Sequence, residues 1–288
     1  MTTNEGKGSR AQCDKLINRY LNRGRNIVNY TCFQYGQYNA MISGEPDAHF
    51  ISDFQYFVFT KSTKSLESIR ALLRIGHIED VFILLRTMFE GYLASRYIDE
   101  NYDVKLLSDF IFVPQLIAHR KVIYQNNEAI DRTTNELIDF FQRNPSDLKL
   151  GKDKSYFYDL YGYLCNYAHC NYSIADCYIG GNGMYTYDKV TNDFMAKILT
   201  LFVYTKIFES IVTVEGEDFY SPQVEKDCYK LVKEVTTFLY KHLDYFSRYE
   251  CKDVNPELNK HMKNMFKNMK KSLKEEIGSV KKDFLNEY

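Results

Sequence analysis

Along most of the chain the apolar residues recur every three or four positions, the spacing of a helix with one buried face. From Ala11 to about Ala40 that spacing runs through Leu16, Ile17, Tyr20, Leu21, Ile27, Val28 and Phe33 and predicts a helix. A turn is expected at Ser43-Gly44-Glu45-Pro46. A second helix starts near His49 and carries Phe54, Phe57, Val58, Leu66, Ile69 and Leu72 as far as Gly76, a residue suited to the left-handed position just past a helix end. The next stretch, His77 to Ile98, is apolar on nearly every side: Val81, Phe82, Leu84, Leu85, Met88, Phe89, Tyr92 and Leu93. A helix of that kind is normally covered all round. The pattern therefore predicts that this is the central helix, packed antiparallel against the one before it.

Beyond Asn101 an apolar segment, Val104 to Tyr124, contains Pro114, which should kink or break it. A short helix is expected over Asp131–Gln142, and 146–155 reads as a polar linker. An aromatic helix follows from Tyr156 to about Tyr172. Gly180, Gly181 and Gly183 then make a loop, with Tyr185 to Lys189 extended. Further helices are expected from Asn192 to Val214, from Ser221-Pro222 to about Tyr249, and from Asn255-Pro256 onward, proline at the first helical turn marking the last two starts. No strand pattern is sustained. The expected fold is all-α, a multi-helix bundle of eight or nine helices: 1–10 disordered, 11–250 the bundle, 251–288 a Lys-rich amphipathic C-terminal helix.

Composition sharpens this picture. Of 288 residues 16% are aromatic, with 25 Tyr and 20 Phe, ample for a large core, while 5 Pro and 14 Gly are few for a turn-rich β fold. A net charge of −1 removes any global electrostatic case for nucleic acid and leaves a local basic patch open. The polar start MTTNEGKGSRAQ has no apolar signal-peptide core, and stretches such as Ile198–Tyr204 fall far short of the roughly 20 residues a membrane span needs. These features are read as those of a cytoplasmic protein with no membrane span. The seven Cys, odd in number and scattered, read as reduced thiols.

Candidate chemistry sits in four places. Arg86 and Glu90 are four apart, hence on one helical face, and charges on so apolar a helix need partners. They are either a structural pair or the lining of a pocket, where a guanidinium suits phosphate or carboxylate and a carboxylate can orient it or act as a base. Asn166 and His169 are three apart on the aromatic helix. They are either core residues or a general acid–base with a positioning amide. Cys165, His169, Cys170 and Cys177 are zinc-type ligands, but C-x3-H-C-x6-C matches no common site, and no metal or cofactor is expected. The last helix carries Leu258, Met262, Met265, Met269, Leu273, Val280 and Phe284 on one stripe, and Lys260, Lys263, Lys267, Lys270, Lys271 and Lys274 opposite. That stripe either docks on the bundle or on a second copy, or the lysines meet RNA phosphates or anionic lipid. Tyr35, Tyr38, Tyr185 and Tyr187 look exposed and suited to base stacking.

A helix reading LLRTMFEGYLASRYI followed by one reading YGYLCNYAH resembles a group of bacterial all-helical domains of unknown function, similar in turn to the broad HEPN (higher eukaryote and prokaryote nucleotide-binding) class. The resemblance spans roughly residues 60–175 and rests on Arg86, Glu90, Asn166 and His169. It implies a helical bundle that dimerises and, in many HEPN members, a metal-independent RNase of stress, toxin–antitoxin or phage-defence systems. Those members use an Arg and a His four to six residues apart. Here the positions five to seven before His169 are Leu164, Tyr163 and Gly162, and the formal match Arg70 to His77 crosses the helix end at Gly76. Extended onto these residues, such a mechanism has His169 activate the ribose 2′-OH, Arg86 stabilise the phosphorane, Glu90 orient Arg86, and Asn166 position the substrate or the imidazole. The reading from another class is a non-catalytic scaffold or partner-binding module in which the Arg, Glu and His are structural.

Overall fold

A computed structural model describes residues 3–30, 49–101, 103–151, 153–169, 172–189, 193–212, 222–248 and 256–286. Helix dominates them, as the apolar spacing predicts. The elements are α1 (Thr3–Tyr30), α2 (His49–Ile75), α3 (Ile78–Glu100), α4 (Val104–Leu107), α5 (Val113–Ala118), α6 (Tyr156–Ala168), α7 (Asp193–Val212), α8 (Pro222–Arg248) and α9 (Pro256–Asn286). The helix begins at Thr3, ahead of the expected Ala11, so residues 3–10, read from the sequence as disordered, are helical. Arg10 Nε is 3.1 Å from Asp193 Oδ1 at the start of α7. Phe33, Tyr35, Tyr38 and the turn at 43–46 lie outside the described residues.

The helix covered on all sides is α7, not the stretch 77–98. From Phe194 to Phe208 every residue of α7 is buried. Its polar groups are all spent internally. Thr200 and Thr205 donate to the carbonyls of Ala196 and Leu201, and Lys197 pairs with Asp14 of α1 at 2.8 Å. Lys206 lies between Glu209 (3.3 Å) and Glu276 of α9 (2.8 Å). α1, α2, α3 and α8 pack around α7. Two buried hydroxyl pairs cross the core: Tyr20 with Thr205 at 2.9 Å, and Thr63 with Tyr204 at 2.8 Å. α1 meets this layer at Gly24, where an added Cβ would lie 2.3 Å from Tyr204 Oη and 3.1 Å from Thr63. Tyr204 is fully buried and cannot swing away. Gly24→Ala is therefore expected to cost about 1–3 kcal/mol despite its better helix propensity, a loss that urea unfolding would measure.

α2 and α3 form the expected antiparallel hairpin. Gly76 has φ 83°, the His77 N–H reaches the Leu72 carbonyl at 3.1 Å, and α3 starts at Ile78. Past α4, Pro114 has no N–H to give, and the ladder widens just before it. Ser108–Phe112 is a π turn, with the Val113 N–H on the Ser108 carbonyl.

The expected helix over Asp131–Gln142 is absent. A three-stranded antiparallel sheet stands there, β1 (Val122–Gln125), β2 (Glu128–Asp131) and β3 (Leu137–Ile138), in register Val122 with Asp131, Gln125 with Glu128 and Ala129 with Ile138. The reason is turn chemistry. Asn126 and Asn127 both take positive φ (55° and 63°), the geometry of a two-residue hairpin turn whose twist suits the strands. Asp131 Oδ1 then accepts the N–H groups of Thr133 (2.7 Å) and Thr134 (3.0 Å), which turns the chain back instead of starting a helix. Val122 and Ala129 pack with Val113 as a small core of their own.

The polar segment before α6 is pinned. Both Arg96 terminal nitrogens bond the Asp153 carboxylate, Nη2 to Oδ2 at 2.8 Å. Asp153 Oδ2 also accepts from Tyr158 (2.7 Å) and the Leu150 N–H (2.8 Å). α9 folds back along α8 and α6. Met265, Phe266, Met269 and Leu273 are buried, so this part of the apolar stripe docks on the bundle. Lys260, Lys267, Lys271 and Lys274 face solvent, while Lys270 bonds Asp244 at 2.5 Å. Among the described residues no helix is long and apolar enough to cross a membrane.

Candidate functional site

α3 and α6 lie antiparallel, joined by ring contacts at both ends. Phe82 meets Tyr163 (5.8 Å) and Tyr167 (4.5 Å), and Phe89 meets Phe157 (5.9 Å). Between these contacts the solvent-side face of α3 presents Arg86 and Glu90 toward Tyr161 and Cys165 of α6. Arg86 Nη2 is 2.8 Å from Glu90 Oε1. Tyr161 Oη donates to the same Glu90 oxygen at 2.9 Å and accepts from Arg86 Nη2 at 3.3 Å. The guanidinium also lies 5.7 Å from the Tyr161 ring centre. Burial works against the Arg86 charge. Hydrogen bonds to Tyr161 and Cys165 and the Glu90 carboxylate outweigh it, and the guanidinium pKa stands above its ordinary value. Burial, then Cys165 and Glu90, push the Tyr161 phenol up, so it stays protonated as the donor to Glu90.

The sequence pairs Arg86 with Glu90, misses Tyr161, and assigns Cys165 to the cysteine–histidine constellation instead of this cluster. The available signal was that 161 and 165 are four apart on the aromatic helix, hence on one face. The other two singled-out residues do not join the cluster. α6 ends at Ala168, and His169 takes φ −112°, ψ 157°, so it has left the helical face that the three-residue spacing assigns it with Asn166. His169 is exposed, and among the described residues neither it nor Asn166 bonds Arg86 or Glu90. Arg70 and His77 are divided by the Gly76 turn. Arg70 Nη1 bonds Asn18 Oδ1 at 3.1 Å, and His77 Nε2 lies 3.0 Å from Tyr187 Oη. Of the cysteine constellation, Cys177 sits against Glu79, and burial and that carboxylate push its thiol up to about 11. Cys170 lies outside the described residues. Among those described, no three His, Cys, Asp or Glu side chains are placed to hold a metal ion.

The same face of α3 opens on its other side into a groove against α2, about 220 Å³ in volume. Phe54, Phe57, Val58 and Met88 give it apolar walls, and Lys61, Ser62, Ser65 and Glu90 give it polar ones. The helices come close at Gly91, where a Cβ would lie 3.2 Å from Val58 Cγ1. Phe57, 56% exposed, stands at the mouth, with the Lys61 ammonium 5.7 Å from its ring centre. Ser62 presents its hydroxyl to the groove, where among the described residues it has no hydrogen-bond partner and Lys61 has no carboxylate partner. Nothing in the sequence marked this groove, because its polar residues read as the solvent side of α2.

Residues 56–184 match the family model of a family of unknown function, DUF5677. The matched span takes in most of the α2–α3 groove and the Arg86–Glu90–Tyr161 cluster, and it agrees with a domain of unknown function over roughly 60–175; nothing in the match supports a likeness to the HEPN class. No curated protein and no solved structure matches the chain.

Proposed function

We propose that this chain is a non-catalytic helical binding module, in which Arg86, Glu90 and Tyr161 clasp α3 to α6 and the α2–α3 groove receives the partner. The observation that carries this reading is the mutual bonding of the cluster. Arg86, Glu90 and Tyr161 bond one another at 2.8, 2.9 and 3.3 Å, and the histidine that acid–base chemistry would use stands beyond the helix end. A base or a phosphate clamp needs a free lone pair or a free fork of donors aimed at the substrate. Here Arg86 Nη2, Glu90 Oε1 and the Tyr161 hydroxyl are spent on each other, and Arg86 Nε is buried without a partner rather than presented to solvent. Arg86→Met is expected to lower the unfolding free energy by about 1.5–3 kcal/mol, the range for hydrogen bonds to a charged group, in urea unfolding followed by circular dichroism. Single-turnover incubation of the intact protein with mixed RNA in EDTA is expected to leave the RNA whole. Cleavage by the wild type that a folded His169→Ala variant lacks would sink this reading.

A second reading, the metal-independent ribonuclease that the HEPN resemblance implies, draws on the exposure of His169 and of the rings that follow it. Tyr172, Tyr185 and Tyr187 all face solvent, and exposed rings of this kind stack on unpaired bases. On that reading His169 would activate the 2′-OH, and Arg86 would have to exchange Glu90 for the phosphate, in a homodimer or with a trigger. The toxin–antitoxin or phage-defence role belongs to this reading alone, and the EDTA assay decides between the two.

A further inference from the structure

We propose that the α2–α3 groove binds a small amphipathic monocarboxylate, an apolar body of about benzene size carrying a single carboxylate. The proposal rests on the binding-module reading and adds the ligand's chemistry. Its starting point is the Ser62 hydroxyl, which lines the groove, bonds nothing among the described residues and is open to the groove rather than sealed away. A serine in mid-helix usually returns its hydroxyl to the carbonyl four residues back, as Thr63 does to Phe59 at 2.9 Å. Ser62 does not. Its donor is therefore available to an oxygen acceptor seated in the groove.

Charge selects which acceptor. Lys61 precedes Ser62 and stands at the mouth without an ion-pair partner among the described residues, while Ser65 adds a second hydroxyl to the same wall. The negative group in the groove, Glu90, already has its charge offset by Arg86 and its oxygen bonded by Tyr161. An ammonium and two hydroxyls around apolar rings fit one carboxylate on an apolar body. Glu90 faces any second carboxylate with like charge and so disfavours diacids. Size follows from volume. A cavity of about 150 Å³ holds benzene, so about 220 Å³ holds a ring with a short carboxylate arm. Phe54, Phe57, Val58 and Met88 supply the contact surface.

The test uses the full chain labelled with ¹³C-methyl methionine and follows the Met88 methyl, assigned through Met88→Leu. Phenylacetate is the probe, and phenylacetamide, of the same shape without the charge, is its control. Phenylacetate is expected to shift Met88 saturably with Kd on the order of 1 mM or tighter, and the amide to bind at least about tenfold more weakly. Lys61→Met is expected to bring the two ligands within about twofold of each other, and Ser62→Ala to weaken phenylacetate several-fold without unfolding the protein. Absence of a saturable Met88 shift up to about 10 mM phenylacetate, or equal binding of acid and amide by the wild type, would overturn the proposal. RNA cleavage by a protein that still binds phenylacetate here would instead overturn the non-catalytic reading and leave the ligand assignment standing.

Discussion

Arg96→Met is expected to lower the unfolding free energy by about 3–5 kcal/mol, the range for removing one member of a buried ion pair. The Asp153 carboxylate is 5% exposed, and losing Arg96 leaves it charged and shielded with only the Tyr158 and Leu150 donors. The guanidinium also lies over the rings of Phe157 (5.0 Å) and Tyr92 (5.7 Å), contacts that a methionine only partly replaces. The double variant Arg96→Met/Asp153→Leu should regain most of the loss, because a well-packed apolar pair of similar volume is often as stable as the ions. Burial by itself would raise the Asp153 pKa. The hydrogen bonds from Arg96, Tyr158 and Leu150 outweigh it and hold the carboxyl below its usual 3.8. A carboxyl lowered by folding contributes stability above its unfolded pKa and loses it as pH falls through the folded one. Urea unfolding of the wild type should therefore show stability dropping as pH falls below about 4, with a shallower drop for Asp153→Asn. A single-variant loss under about 1 kcal/mol would show that the pair behaves as a surface contact.

The second large effect is expected at Lys206. Its ammonium is 7% exposed and lies between Glu209 and Glu276, near the half-buried Tyr92 and the buried Tyr156. Burial opposes its charge, and the two carboxylates outweigh burial, so its pKa stands well above the usual lysine value. Lys206→Met sets two carboxylates facing each other with no cation between them, again at about 3–5 kcal/mol. The damage should concentrate in α9, which Glu276 and the Ser272–Tyr156 hydrogen bond (3.2 Å) hold against the bundle. Hydrogen exchange should show α9 losing protection ahead of α7. Burial already pushes the Glu209 pKa up, and losing Lys206 pushes it further. A carboxyl raised by folding favours the folded state at low pH and loses that contribution as pH rises, so the variant's deficit should be smaller at pH 5 than at pH 8. An equal deficit at both values would exclude carboxylate repulsion as its cause.

The parts of this fold legible in the sequence are those where local chemistry and tertiary packing agree. Gly76 ended α2 because its φ of 83° suits glycine, and the Met265–Met269–Leu273 stripe docked as its spacing implied. The sheet was missed: its signal lay in the Asn126-Asn127 doublet rather than in alternation, since strands of two to four residues are too short to alternate convincingly. The centre of the bundle was not legible. α7 carries two lysines that look like a solvent face until Asp14 and Glu276, from distant parts of the chain, are placed against them, whereas α3 keeps Arg86 and Glu90 on an open face. At the candidate site, spacing paired Arg86 with Glu90. Tyr161 was hidden among 25 tyrosines, and the face shared by Asn166 and His169 failed because the helix stops one residue before the histidine.

The short turn at Gly76 also sets an order of events. The walls of the α2–α3 groove are joined by that turn and lie close along the chain, whereas Tyr161 stands 71 positions from Glu90 and Lys206 is about as far from Glu276, its partner on α9. Contacts between near neighbours in sequence need little loop closure and form early. The groove is therefore a candidate folding nucleus: substitutions in the hairpin should slow folding, and those at Tyr161 or Lys206 should mainly hasten unfolding.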